Sequence, residues 1–499
     1  MTNQYIHQLF DERVRAQADD IFIENIDNQI TYRQLDDQVQ LLVSELTNNG
    51  VCLGDRVLVV AENCSEHIAL ILAISKVGAW SCGVNARMSK GEINTFIQKA
   101  DPRLIYFTSR ISKDAKVHAQ EYQATPSILA GLERSPMRKE ATAQEGELAS
   151  QIAAIIFTSG TTGAPKGVLV SHEGLLKFAE ISTKSRELNS KDKSYAYVPM
   201  THIFGLGTVL SASLYAGSRL VMRHAFDPAD VFKSLEFGGI TNLQGPPTMF
   251  SRLIQWLDQQ GIKHPRCPEL RYVYCGAAPL DMPLKIRVEE VFGLPLHHGY
   301  GLSEYAGAIA LVKKDEKRLD TSAGYVVDGG ELRVVNAEGQ DLPANEKGQI
   351  LMRGIGLMPG YFRDPEATSI AIDQQGWYAS GDVGYIDETG AIFVVGRLKE
   401  MIIRSGFNVY PGELESVLNA YPGVGKSAVV GKKESDGNEE VIAFIEPHQG
   451  QVIDEVALRA YLVDHLAPYK RPSKIIFREQ FPLTQSGKIL KRILLEELN

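Results

Sequence analysis

Cysteine is scarce in this chain. Five occur in 499 residues, at Cys52, Cys64, Cys82, Cys267 and Cys275. Their number is odd and no two have C-x-x-C spacing, which argues against a disulfide framework or a thiolate zinc site and fits a reducing compartment. Long apolar runs are also missing. The longest, residues 68–74, is far short of the roughly 20 residues a membrane helix needs. Positive charge is in deficit: 52 Lys and Arg against 61 Asp and Glu leave a net charge of −9, which disfavours a general nucleic-acid binder. The first twenty residues carry Asp11, Glu12, Arg13, Arg15, Asp19 and Asp20 and offer no apolar core for a secretory signal. The ending Glu497-Leu498-Asn499 matches no lipidation or retention tail. The expectation is a soluble cytoplasmic protein, monomer or homodimer, with no integral membrane segment and small molecules as partners.

The composition is that of an ordinary globular chain, long enough for two to four domains. Over the first 250 residues, helical and strand patterns alternate. Residues 57–60 and 152–157 read as buried strands, 65–77 as a buried helix, and 248–260 as a helix after Pro246-Pro247. This alternation predicts an α/β fold with parallel-rich sheets and covering helices. Between 325 and 395 the texture becomes short strands (331–335, 349–353, 392–395) separated by turn signals, which predicts a mostly antiparallel β-rich subdomain. Near Arg397 it changes again, to a small mixed α+β portion. There Pro411 suits the first turn of a helix through Asn419, and Asp454 caps another. From Lys470 to Arg492 seven cations face one acid, Glu479, a basic segment suited to an anionic ligand.

Residues 158–167 spell Thr158-Ser159-Gly160-Thr161-Thr162-Gly163-Ala164-Pro165-Lys166-Gly167 directly after a predicted strand. Glycines let backbone amides turn toward an anion. The hydroxyls and Lys166 add donors and charge, so the segment suits a polyphosphate. It is not a Walker A loop, because Pro165 precedes the lysine and Gly167 follows it.

Further motifs appear in order: Tyr32 to Leu35 and Gly54-Asp55-Arg56-Val57, then Pro199-Met200-Thr201-His202, Gly276-Ala277-Ala278-Pro279-Leu280 and Tyr300-Gly301-Leu302-Ser303-Glu304. Ser380-Gly381-Asp382, Gly396-Arg397-Leu398-Lys399-Glu400 and Pro482-Leu483-Thr484-Gln485-Ser486-Gly487-Lys488 complete the set. With the phosphate segment, this series resembles the adenylate-forming superfamily of acyl-CoA synthetases, peptide-synthetase adenylation domains and luciferases. The resemblance runs over nearly the whole chain.

The resemblance implies a large AMP-binding domain over 1–396, a hinge at 397–399 centred on Lys399, and a small mobile lid over 400–499. It assigns ATP or AMP contacts to Thr158, Ser159, Gly160, Thr161, Thr162, Gly163, Lys166, Gly276, Ala277, Ala278, Gly299, Tyr300, Gly301, Ser303, Asp382 and Arg397. Glu304 would hold Mg²⁺ together with Thr162, since a carboxylate beside a triphosphate needs a cation between them. His202 would stand beside the acyl group, and Gly245, Gly276, Gly301 and Gly307 would line its pocket. Ser303 replaces the usual threonine but keeps the hydroxyl, and Thr201 stands where many relatives carry phenylalanine.

Lys488 is the implied catalytic cation. Attack of a carboxylate on the α-phosphate builds negative charge at phosphorus and on pyrophosphate, and a positioned ammonium stabilises both. Ser405, Gly406 and Phe407 resemble the loop that meets pantetheine after the small domain rotates. The implied reaction is acid–CoA ligation, with ATP, Mg²⁺ and CoA as cofactors and co-substrates. A medium or long aliphatic acid ranks first as substrate and an aromatic acid a close second. Loading of a carrier protein is an alternative within the family. A nucleotide-binding module or ATPase without acyl transfer is the alternative from another class.

Overall fold

A computed structural model of the chain describes residues 4–158, 165–404, 407–433, 438–483 and 489–498. Two large sheets dominate its N-terminal part. One has nine strands, in spatial order Tyr325–Val326, Gly307–Leu311, Leu296–Leu302, Tyr272–Cys275, Asn242–Gly245, Lys193–Ala196, Arg219–Met222, Ile21–Glu24 and Gln29–Thr31. From Leu296–Leu302 to Ile21–Glu24 every neighbour is parallel. The other has seven strands, with Leu104–Phe107, Arg56–Ala61, Trp80–Asn85 and Ile152–Thr158 running parallel in its centre. Strands buried on both faces read as continuous apolar runs, which is why Val57 to Val60 stood out in the sequence.

The helix Ser65–Lys76 is buried along nearly its whole length. Its apolar run is the internal helix expected of a segment with no polar face. The helix Pro247–Gln259 begins at the second proline of its pair, where a missing N–H costs nothing. Among the described residues no helix is long and apolar enough to cross a membrane.

The β-rich portion is a four-stranded antiparallel sheet of Gly330–Val335, Gly348–Gly354, Tyr378–Ile386 and Ile392–Arg397. The small C-terminal domain has a sheet of Val424–Lys433, Glu439–Pro447 and Lys474–Phe477. Its helices Pro411–Asn419 and Glu455–His465 start at Pro411 and after the Asp454 cap, which accepts from the Val456 amide at 2.9 Å.

Candidate active site

The site forms where strands from two of these sheets meet. The strand Leu296–Leu302 delivers Tyr300, the strand Tyr378–Ile386 delivers Asp382, and Ile392–Arg397 ends on Arg397. Asp382 and Arg397 are direct register partners across their two strands. Tyr300 donates its phenol proton to Asp382 Oδ2 at 2.6 Å. Arg397 Nε lies 3.0 Å from the other oxygen, Oδ1. Burial and the Asp382 carboxylate push the Tyr300 phenol well above its ordinary range, so it stays a donor. Burial works against the Arg397 charge, but Asp382, Glu400, Tyr300 and Glu304 outweigh it and raise its pKa. The loop at 380–382 is fixed locally: Ser380 donates to Ile350 O at 2.7 Å and accepts from the Asp382 amide at 3.0 Å.

A second group stands beside the first. Glu304 sits in the short turn Ser303–Tyr305, held by the Met358 amide on its carbonyl at 2.8 Å. Its side-chain Oε1 accepts from Tyr361 Oη at 3.4 Å, and Tyr361 Oη lies 3.4 Å from Tyr378 Oη. Burial pushes the Glu304 carboxyl above the usual carboxylate range. Lys166 places its ammonium 4.6 Å from the centre of the Tyr361 ring. It is the register partner of Thr158, so the two described ends of the phosphate segment are paired next to Glu304's tyrosine partner. Ser159, Gly160, Thr161, Thr162 and Gly163 lie outside the described residues.

The glycines fall into two sets. Gly276 and Gly299 both face Tyr274: a Cβ on Gly276 would come 3.0 Å from its ring, and one on Gly299 would run into its hydroxyl and Leu311. Gly301 packs on Gly307 and Ala308, and Gly307, with φ +149°, packs on the Phe178 ring. At all four the space a side chain would take is filled by neighbouring protein atoms, so each glycine permits close packing along this face of the sheet. Gly245 stands apart from them. Its front is closed by Tyr197 and Met249, which belong with the apolar side chains of the opposite face. The strand's two-residue alternation, invisible to a motif, puts it there. Ala277, at φ +67°, holds a left-handed conformation that is uncommon for a residue with a Cβ. It and Ala278 form the turn after Gly276.

His202 is half-buried, and its Nδ1 accepts from the Phe204 amide at 3.2 Å. It introduces a feature the sequence reading missed, the π-helix Phe204–Ser211. Glycines at both 205 and 207 were the available signal. A Cβ at Gly205 would strike the Pro199 carbonyl, and one at Gly207 would lie 2.9 Å from Phe178. Tyr361 and Tyr378 were missed too, because no motif carries them.

Lys399 lies in the turn Leu398–Glu400, where burial and Arg397 lower its pKa. Phe407 is exposed and stacks on Tyr469 at 4.5 Å between ring centres. Ser405, Gly406 and Lys488 lie outside the described residues.

Metal binding can be tested against this geometry. Among the described residues no three His, Cys, Asp or Glu side chains cluster as a ready-made cage. Glu304 is nevertheless a buried carboxylate whose one side-chain donor is at a long 3.4 Å. That fits Mg²⁺, which takes one or two carboxylates and completes its shell with phosphates and water.

The AMP-binding enzyme family matches residues 10–362 and its C-terminal domain matches 413–488. A feruloyl-CoA synthase of Amycolatopsis sp is 32% identical over 476 residues, covering 93% of this chain and 92% of that protein. A 2-succinylbenzoate–CoA ligase of Bacillus cereus is 31% identical over 484 residues, 97% of each. Among solved structures, ATP-bound MatB from Rhodopseudomonas palustris superposes with a TM-score of 0.86 at 29% identity, covering 98% of both chains. The chain belongs to the AMP-binding enzyme family, in the CoA ligase branch of the adenylate-forming superfamily, and is an AMP-forming acid–thiol ligase.

Proposed function

We propose that this chain activates an aromatic carboxylic acid with ATP and transfers the acyl group to CoA. The observation that carries the reading is the convergence of Tyr300, Asp382 and Arg397 with Glu304, Tyr361 and Lys166 at the paired ends of the phosphate segment. Asp382 offers acceptors to ribose hydroxyls, and Arg397 offers N–H groups to the ribose and phosphate. Lys166 brings positive charge to the polyphosphate. Mg²⁺ on Glu304 would neutralise phosphate charge.

In the first half-reaction a substrate carboxylate oxygen attacks the α-phosphorus. The bond from that phosphorus to the bridging oxygen breaks, and pyrophosphate leaves. Lys488 supplies the cation for this step. In the second, the CoA sulfur attacks the acyl carbon, loses its proton to solvent and expels AMP. Lys399 then serves as hinge, between a large domain ending at 396 and a lid from 400, and Ser405, Gly406 and Phe407 meet the pantetheine.

The relatives change the order of substrates. The sequence alone put an aliphatic acid first, whereas the feruloyl-CoA synthase and 2-succinylbenzoate–CoA ligase named above support an aromatic acid. The test is a panel of benzoic, cinnamic and fatty acids, assayed for AMP and pyrophosphate with and without CoA and Mg²⁺. Aromatic acids should lead, and AMP should require both additions. Equal ATP turnover without acid would replace this reading with an ATPase.

A further inference from the structure

The helix Pro411–Asn419 belongs to the small domain but is gripped by the large one at both ends. At its start Lys347, from the turn before the strand Gly348–Gly354, forms an ion pair with Glu413. The same ammonium lies 5.6 Å from the centre of the Tyr410 ring, the residue that precedes the helix. At its end Asn419 Nδ2 donates to Asp281 Oδ2 at 3.2 Å. Its first turn also rests close on the strand Ile392–Arg397: a Cβ at Gly412 would come 2.7 Å from the Val395 carbonyl.

Neither grip is needed to hold its own side chains in place. Glu413 has a second cation, Lys470 of its own domain, at 2.6 Å. Burial works against the Glu413 charge, and the two lysines outweigh it, so Lys470 keeps the carboxylate paired when Lys347 is withdrawn. Asp281 uses its other oxygen, Oδ1, to cap the helix Met282–Phe292, accepting from the Leu284 amide at 2.9 Å. Asn419 uses its Oδ1 to accept from Ser427 Oγ at 2.8 Å. Both residues therefore stay anchored in their own domains when the bond between them opens.

The orientation that these contacts hold is the one that precedes the thiol. Phe407, in the loop assigned above to pantetheine, is 54% exposed and stacks on Tyr469 of its own domain. A loop that serves the second half-reaction is turned to solvent, as the orientation for the first requires.

We infer that Lys347 and Asp281 are positioning residues that latch the helix Pro411–Asn419 and so hold the small domain in its adenylating orientation. The inference rests on the reading that this domain turns at Lys399 between two half-reactions. The rate of adenylate formation is proportional to the latched fraction, and the rate of thioester formation to the released fraction. Their ratio therefore tracks the latch, whichever orientation dominates.

The experiment measures both half-reactions on each purified variant, with benzoic, cinnamic and octanoic acids as probes. Pyrophosphate release reports the first, and thioester formation from the matching synthetic acyl-adenylate and CoA reports the second. Asn419→Asp keeps the acceptor for Ser427 and sets a carboxylate against Asp281. Like charges docked together are strongly disfavoured, so the ratio of the second rate to the first should rise about tenfold. Adding Asp281→Asn keeps the helix cap and restores a donor to the pair, so the double variant should return toward the parent's ratio. Lys347→Met, at the other end of the helix, should raise the ratio about threefold, as expected for a part-exposed ion pair. A ratio unchanged in both single variants, or no rescue in the double variant, overturns the latch. Lys399→Pro, which fixes φ at the hinge, separates that failure from failure of the hinge reading. If it moves the ratio and the latch variants do not, the latch alone is wrong; if it does not move the ratio either, the turning at Lys399 is wrong as well. No acid-dependent pyrophosphate release from the parent with any probe would remove the adenylation reading, and this inference with it.

Discussion

Lys491 sets its ammonium 3.1 Å from the Glu400 carboxylate, 91 positions earlier in the chain. The same ammonium lies 2.8 Å from Glu415. Burial lowers the affinity of Lys491 for its proton, but the two carboxylates outweigh it and hold the charge. The contact ties the last helix, Lys491–Glu496, to the turn that carries Lys399. Lys491→Met should leave two facing carboxylates without their cation. With its partners partly exposed, the cost should be about 1–2 kcal/mol. Thermal melting should show that loss, and adenylation should slow more than thioester formation. Unchanged melting would make the contact incidental.

Lys488→Ala addresses the first half-reaction. Losing a positioned charge typically costs about 3–4 kcal/mol, so acyl-adenylate formation should fall a few hundredfold. Thioester formation from supplied acyl-adenylate should change little. Equal losses in both steps, with unchanged melting, would assign the lysine to general binding.

Glu304 gives a prediction of opposite signs. Its pKa is raised in the folded protein by burial. Folding therefore favours the protonated form. That contribution is present below the unfolded carboxyl pKa and is lost as pH rises through the folded one. At neutral pH the buried carboxylate works against stability. Glu304→Gln should raise the melting temperature at pH 7–8 and have no such effect near pH 4. It should also remove most Mg²⁺-dependent activity. Activity of the parent should fall on acidification at a pH above the ordinary carboxylate range. Melting that is lower at pH 8 would refute the assignment of strain to this group.

Asp382→Asn keeps the shape but weakens the tie to Arg397 and the acceptor offered to ribose. Charged hydrogen bonds are worth about 1.5–3 kcal/mol. The KM for ATP should rise roughly tenfold or more, with little change in the KM for the acid. An effect confined to the acid would place Asp382 elsewhere.

Gly299→Ala should displace Tyr274 and Leu311, because its methyl would come 2.4 Å from the Tyr274 hydroxyl and 2.6 Å from Leu311, and on the proposed reading that shift should narrow the acyl space. The kcat/KM should fall steeply for ring-bearing acids and least for acetate or propionate. A uniform fall across acid sizes would point to the nucleotide side instead.

Much of the architecture was legible because local rules decided it. Pro411 and Asn419 bound a helix in both the reading and the structure. The strand read at 152–157 extends by one residue, to Thr158. The antiparallel β-rich segment followed from its turn residues. What escaped depends on contacts between distant segments. Nothing local separates Arg186 from an ordinary basic residue near a helix end; its burial comes from Gln244 and Thr208, on elements far along the chain. Gly245 looked equivalent to Gly276 by composition, but one step of strand alternation turns it to the other face. Tyr361 gains meaning only when its strand bridge to Val168 brings it under Lys166.

Arg397 closes the strand Ile392–Arg397 and also grips Asp382. Whatever nucleotide binds at Asp382 thus acts on the residue from which the rest of the chain departs. Thermodynamic reciprocity then applies: if the orientation beyond 397 alters AMP affinity by some factor, AMP must alter the orientation by the same factor. If the lid turns at Lys399 as proposed, the product of one turnover would be an effector of the next, and its release rate would set how long the chain stays committed to the thiol-accepting arrangement.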